Sequence, residues 1–286
     1  MDRAQLEALA SSNRLLTLDY PVKPRPRSHI DQPPQGPLAE RIAASNPTYQ
    51  SNLQQFLAHL PGLAAIPAKS ADPRQPFWLN DWIPAFDAIS LYCFVAMRNP
   101  TLYMEIGSGT STKFVRKAIR DHGLRTKILS IDPHPRSEID AICDGIIRKP
   151  LEDTDLRCFN YLKPGDVVFC DGSHRAFQNS DATVFLTEVV PALGPQVLVG
   201  VHDIFLPWDY PPEWINRYYS EQYLLACYLL GGSSLSMELP VLYCTKTPEL
   251  HAILDPVWSL PDLARANKSG ALFWFTPQGR VPTAPR

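Results

Sequence analysis

The chain has 286 residues, 45% apolar and 20% charged, which excludes whole-chain disorder, collagen and coiled coil. Lysine plus arginine number 27 against 29 acids, a formal charge of −2. Nothing electrostatic therefore favours a nucleic acid or an anionic membrane as partner, although a local basic patch is not excluded. No apolar run nears the ~20 residues of a membrane helix. The opening MDRAQLEALA is charged rather than secretory. The cysteines Cys93, Cys143, Cys158, Cys170, Cys227 and Cys244 form no C-x-x-C pair and read as small buried hydrophobes, so the expected compartment is reducing and cytoplasmic.

Proline makes up 29 residues, and six of these fall between Pro21 and Pro37. That stretch lacks the N–H groups for a helix or a central strand. Residues 1–47 are expected to be a helical turn or two followed by a Pro-rich arm. Residues 48–66 carry Tyr49, Leu53, Phe56, Leu57 and Leu60 at helical spacing. Pro84 to Met97 is apolar on most faces and predicts a largely buried helix with proline in its first turn. Together, 48–100 read as a helical cap. From Thr101 short apolar runs alternate with helical segments. Strands are predicted at Leu102–Ile106, Ile128–Ile131, Gly145–Arg148, Val167–Cys170 and Val197–Val201. Helical pieces are predicted at Ser111–Asp121, near 137–142, at Leu156–Leu162 and at Asp181–Leu193. Crossovers this long mean a parallel sheet with helices on both faces. A helix over Glu213–Leu230 and two strands, Pro240–Thr245 and Ala271–Thr276, complete a Rossmann-like domain over 101–286.

Open parallel sheets bind ligands at the carboxyl ends of their strands. The first strand runs into Glu105-Ile106-Gly107-Ser108-Gly109-Thr110-Ser111-Thr112. Two glycines spaced by one allow a tight turn and a close ligand, but Thr112 replaces the third glycine of the dinucleotide fingerprint. Glu105 would repel a pyrophosphate and suits a cationic or amino-acid-bearing ligand. The second strand ends in Ile131-Asp132-Pro133, where Asp132 can accept from both ribose hydroxyls. His134, next along, is within reach of the same ligand. After the third strand, Pro150-Leu151-Glu152-Asp153 can edge an adenine ring. These features point to S-adenosylmethionine rather than NAD.

The ordered runs E-I-G-S-G-T-S-T, I-D-P, D-V-V-F-C-D-G-S-H and V-H-D-I-F-L-P resemble those of class I S-adenosylmethionine-dependent methyltransferases. The branch resembled most includes macrocin-type O-methyltransferases and cephalosporin-hydroxylase-like proteins. The resemblance covers roughly 102–206. It implies an α/β fold with a Rossmann-like seven-stranded sheet, helices on both faces, an antiparallel last strand and an N-terminal helical cap. It also implies Glu105, Gly107, Gly109 and Asp132 at the cofactor, with Ser108 and Ser111 nearby; Pro133, Glu152 and Asp171 complete the expected cofactor set.

The fourth strand ends in Asp171-Gly172-Ser173-His174 and the fifth in His202-Asp203. Neighbouring strands lie roughly 5 Å apart, so these carboxylates need a proton, a base or a divalent cation between them. Related families bind magnesium here with two aspartates and a further acid. The acid's place is taken by His202, which suits transition metals better. Asp171 and Asp203 are thus the candidate metal ligands, and a divalent metal is a candidate cofactor. His174 and His202 are the candidate bases for removing an acceptor proton, with Asp171 and Asp203 as their partners. The aromatic loop from Phe205 to Tyr219 is a candidate acceptor wall, and Phe77, Trp78 and Trp82 can close the site. The expected reaction is O-methylation of a small molecule or a glycan precursor. The rival readings are a catalytically inactive cofactor-binding scaffold and an NAD-dependent oxidoreductase. Assembly into a homo-oligomer is left open.

Overall fold

The computed structural model describes residues 2–12, 14–27, 31–136, 138–231 and 235–278. Its seven strands are β1 (Leu102–Ile106), β2 (Lys127–Ile131), β3 (Gly145–Ile147), β4 (Val167–Cys170), β5 (Leu198–Val201), β6 (Leu235–Pro240) and β7 (Phe273–Pro277). They form one sheet in the order β3-β2-β1-β4-β5-β7-β6. The first five are parallel, and β7 runs antiparallel to both β5 and β6. All of β4 and β5 is buried, as expected where helices cover both faces of a parallel sheet.

Register positions the chemistry. Ile106 pairs with Ile131 and with Cys170, and Cys170 pairs with Val201. The residue after each strand is still tied to its neighbour. Gly107 N donates to Ile131 O (3.1 Å), Asp171 N to Ile106 O (2.8 Å) and His202 N to Cys170 O (2.9 Å). Asp132 N donates to Ile147 O (3.1 Å). Four strand-end motifs therefore share one edge of the sheet.

The helix Ala85–Arg98 is buried without a break from Ala85 to Val95. It is an interior layer on the sheet and ends at Asn99 in the left-handed region (φ 44°). Its Ser90 accepts a hydrogen bond from Trp274 Nε1 of β7 (2.8 Å). Ile42, Tyr49, Phe56 and Phe86 belong to the same continuous core as Phe169 and Trp274. Within the expected arm, burial begins at Ala39 and Ile42, on the helix Pro37–Ala43; no described residue before them is buried. The arm is tied to the loop after β5, where Trp208 Nε1 donates to Gln32 O (2.9 Å) and Arg27 N to Asp209 Oδ2 (2.5 Å). Deleting residues 1–35 is therefore expected to leave thermal stability nearly unchanged. Deletion to residue 44 removes Ile42, whose burial is worth about 1.5–3 kcal/mol, and should lower the melting temperature by roughly 3–12 °C. Differential scanning calorimetry of the two truncations checks both outcomes.

Five expected elements differ. The strand placed at Pro240–Thr245 is instead β6, which ends at Pro240, followed by a helix over Val241–Lys246. Val241 to Cys244 is buried throughout, and a fully buried run has no period to separate helix from strand. The single helix over Glu213–Leu230 is a 3-10 segment, Pro212–Arg217, and a helix, Glu221–Leu230, broken at Tyr218 (φ 54°). The helix over 181–192 widens into a π segment at Phe185–Val189, next to Pro191, whose ring cannot continue the normal bonding. The pieces at Leu156–Tyr161 and Asp140–Ile142 are 3-10 turns; Ser137 lies outside the described residues. Only Cys93, Cys170 and Cys244 are fully buried, and Cys227 is exposed.

Candidate active site

A cleft of about 290 Å³ opens at the shared strand edge. Gly107, Ser108, Gly109, Ser111, Asp132, Pro133, Glu152 and Asp171 line it, joined by His134 and Trp82. Gly107 has φ 76°, and a Cβ there would lie 1.8 Å from the Asp171 carbonyl oxygen, so the first glycine lets β1 and β4 close up. A Cβ on Gly109 would meet no protein atom within 4 Å, so the second glycine leaves room on the cleft side. The Asp132 carboxylate accepts from Ser108 N (2.8 Å) and His134 N (2.7 Å), which fixes it at the cleft wall. One buried oxygen of Glu152, Oε2, has no hydrogen-bond partner among the described residues. Four carboxylates line the cleft, those of Asp132, Glu152, Asp171 and Asp181, against one guanidinium, Arg136. That balance suits a cationic ligand rich in donors and opposes a pyrophosphate. Arg136 lies over the Trp82 ring (4.9 Å), closing the cleft from the N-terminal side. Trp78 is buried instead, against Phe114.

Glu105 is the exception among the expected cofactor residues. It is fully buried and is not part of the cleft wall. Ser111 Oγ, Thr112 Oγ1 and Tyr103 O–H all donate to its carboxylate. Thr112 Oγ1 in turn accepts from Gly109 N (3.0 Å). Glu105 thus anchors the glycine loop and the start of the helix Thr110–Asp121, and Thr112 replaces the third glycine because its hydroxyl completes this relay. Burial pushes the Glu105 carboxyl up to about 7, opposed by its hydroxyl partners. A carboxyl whose folded pKa is raised favours the fold when protonated. This contribution is full below about pH 4.5 and lost as pH rises through about 7. Glu105→Gln is expected to abolish that loss, roughly 3 kcal/mol for a shift of this size. Urea midpoints of both proteins at pH 5 and pH 7.5 check it: the gap between them should narrow or reverse at the higher pH.

Behind Asp171 lies a buried network that the sequence reading saw in part. His174 Nε2 is 3.2 Å from Asp171 Oδ1 and 3.4 Å from Asp203 Oδ2, and its Nδ1 is 2.5 Å from Glu221 Oε1. His202 Nδ1 is 3.3 Å from Asp171 Oδ1 and 3.5 Å from Asp203 Oδ1, and its Nε2 is 3.2 Å from Asp87 Oδ2. Each imidazole therefore bridges one outer carboxylate and the central aspartate pair. Neither histidine lines the cleft; Asp171 alone belongs to both cleft and network. Burial lowers both histidine pKa values, but the carboxylates around them win and hold them well above the usual range. Burial acts to raise Asp171, yet the two imidazoles hold it far below the ordinary carboxylate range. Asp203 and Glu221 are raised, chiefly by burial. His174 (φ 62°) and Asp203 (φ 58°) both occupy the left-handed region, a strain that non-glycine residues carry chiefly at functional sites. Tyr219 covers His174 at 4.6 Å between ring centroids. Phe205, Trp208 and Tyr210 are buried, and the aromatic loop does not line this cleft; Trp214, Tyr218 and Tyr219 line a separate cavity.

Asp87 and Glu221 were missed. Asp87 is a carboxylate inside an otherwise apolar buried helix, and Glu221 opens another apolar helix; a solitary acid in such a run was the available signal.

Residues 104–204 match the family described as "Methyltransferase domain". This segment is similar to a methyltransferase domain. The match runs from β1 to β5, and the seven-stranded α/β sheet with its antiparallel last strand stands as expected. No curated protein matches the chain. Among solved structures, an S-adenosylhomocysteine-bound methyltransferase of Podospora anserina is 15% identical, covering 72% of this chain and 94% of that one, with a TM-score of 0.38. An O-methyltransferase of Bacillus cereus in complex with S-adenosylhomocysteine is 14% identical, covering 84% and 96%, with a TM-score of 0.40. The O-methyltransferase of tomaymycin synthesis from Streptomyces achromogenes, in complex with S-adenosylmethionine, is 14% identical, covering 85% and 96%, with a TM-score of 0.42. Among the described residues, no helix is long and apolar enough to cross a membrane.

Proposed function

We propose that the protein is a methyltransferase, transferring the methyl group of S-adenosylmethionine to a hydroxyl of a small molecule or glycan precursor beside Asp171. The observation that carries this reading is the acid-lined cleft, which has Asp132 on one wall and a partnerless Glu152 oxygen on another and ends at Asp171. Asp132 takes the ribose hydroxyls, and Glu152 accepts from the adenine amino group. The carboxylates of the cleft offset the sulfonium and ammonium charges. Gly107, Ser108, Gly109, Ser111 and Pro133 shape the wall, and Glu105 acts through the loop it anchors.

The sulfonium is already an activated donor, so alignment and proton removal are what the protein must supply. Asp171 accepts a hydrogen bond from the acceptor hydroxyl and holds its oxygen in line with the methyl carbon. As the new O–C bond forms, the S–C bond breaks and its electron pair returns to sulfur. The hydroxyl proton passes to Asp171 and on to water in the cleft, while the imidazolium groups of His174 and His202 hold the Asp171 carboxylate in place and Asp203 balances part of their charge.

Asp171, His202 and Asp203 each present one ligand atom, all within 4.8 Å of one another. The far nitrogen of His202 faces Asp87, the arrangement that orients a metal-binding imidazole. This donor set fits a divalent transition metal better than magnesium. Bound there, such an ion would supply Lewis acidity toward the acceptor hydroxyl.

Incubation with methyl-labelled S-adenosylmethionine and a panel of phenols and sugars tests the reading. Label should move to an acceptor, and Asp171→Asn, His174→Ala and His202→Ala should each lower turnover at least about a hundredfold, with cofactor affinity held in the two histidine variants, which lie off the cleft. Near-normal turnover in all three would move the chemistry elsewhere.

A further inference from the structure

The helix Thr110–Asp121 faces the cofactor only at its start. Along its outer side Lys113, Arg116, Lys117 and Arg120 recur at helical spacing. Between this stripe and Arg74 on the preceding loop lies a separate cavity of about 130 Å³. Its walls carry these five cations and a single acid, Asp121. Asp121 is already engaged by Lys117 (2.9 Å) and by the Tyr92 hydroxyl (2.6 Å). Arg116 is committed to Asp144 (2.6 Å) and to Ile142 O (2.7 Å).

Lys113 differs from the rest. It is only 8% exposed, yet among the described residues no hydrogen bond or ion pair holds its ammonium. Arg120 likewise has no bonded partner among them. Asp72 and Glu138 act on Lys113 only through space, and burial still pushes its pKa down. Its stem is buried while the side chain lines the cavity without a bonded counter-charge. An anion in the cavity would supply that counter-charge and bridge Lys113 to Arg120. The volume is well below the roughly 300–1,000 Å³ of drug-sized ligands, so a single tetrahedral oxyanion is the fitting occupant.

We propose that the cavity between the helix Thr110–Asp121 and the loop at Arg74 is an anion site for a phosphoryl group, either inorganic phosphate or the phosphate of a monoester whose remainder projects outward. S-adenosylmethionine carries no phosphate, so this site and the cofactor cleft are chemically distinct and can fill together.

The test is calorimetric titration of the full chain with inorganic phosphate and, separately, with glycerol 3-phosphate, at constant ionic strength set with chloride. One ion should bind per chain with an affinity that Lys113→Met weakens about ten- to a hundredfold, as expected for a lost charge-assisted hydrogen bond. Lys163→Ala, on the same domain but off this cavity, should bind as the wild type does. Tighter binding of the ester than of phosphate identifies a phosphorylated metabolite as the occupant, and the reverse identifies the free ion. Because Met keeps the buried stem and no bonded partner among the described residues is lost, Lys113→Met should stay folded, which its melting curve verifies. Absence of saturable binding by either anion, or equal binding by wild type and a folded Lys113→Met, would overturn the proposal without touching the methyl-transfer reading.

Discussion

Asp87→Ala is expected to destabilise the protein by about 3–5 kcal/mol, the cost of breaking a buried charged network from one side. The carboxylate is fully buried and accepts from Ala271 N (2.9 Å to Oδ2) and from Leu272 N (2.9 Å to Oδ1), where the chain enters β7, while its Oδ2 also faces His202 Nε2. Truncation leaves two buried N–H groups and one imidazole without their partner, and each unmet group costs about 1–3 kcal/mol. Gly270 packs so closely that a Cβ there would lie 2.2 Å from Asp87 Oδ1, so water has little room to substitute. The melting temperature should fall by roughly 6–20 °C. Asp87→Asn keeps one acceptor oxygen and should fall by less. A melting curve for Asp87→Ala that overlays the wild type would show that His202 and the entry to β7 are held by something else.

Asp132→Ala is expected to weaken S-adenosylmethionine binding about ten- to a hundredfold, the loss of charge-assisted hydrogen bonds worth about 1.5–3 kcal/mol. The same carboxylate accepts from Ser108 N and His134 N, so part of the loss comes from a looser glycine loop. Asp132→Asn separates the two contributions, because its carbonyl can keep one backbone contact without the charge. Its affinity should fall between those of the wild type and Asp132→Ala.

The strand-end motifs were legible in the sequence because buried parallel strands are short apolar runs, and the residue that ends each run is the residue at the ligand edge. Val167–Cys170 is the clearest instance, since strand and burial coincide over the same four residues. Asp132 and Asp171 follow directly from that logic. Glu105 does not: its position in the loop motif was correct, but whether its carboxylate faced a ligand or the hydroxyls of Ser111 and Thr112 depends on the fold of the loop itself. Asp87 and Glu221 belong to helices far away in sequence, and their meeting with His202 and His174 is a product of layer packing. The cavity at Lys113 was hidden by the neutral overall charge, which averages away a stripe confined to one helix.

Calorimetric titration of the wild-type chain with S-adenosylmethionine, and in parallel with NAD, is the most direct measurement of the central claim. One S-adenosylmethionine per chain should bind, weakened in a folded Asp132→Ala, and NAD should give no saturable heat because the acid-lined cleft opposes its pyrophosphate. Saturable NAD binding with no response to S-adenosylmethionine, or an affinity for S-adenosylmethionine indifferent to Asp132, would contradict it.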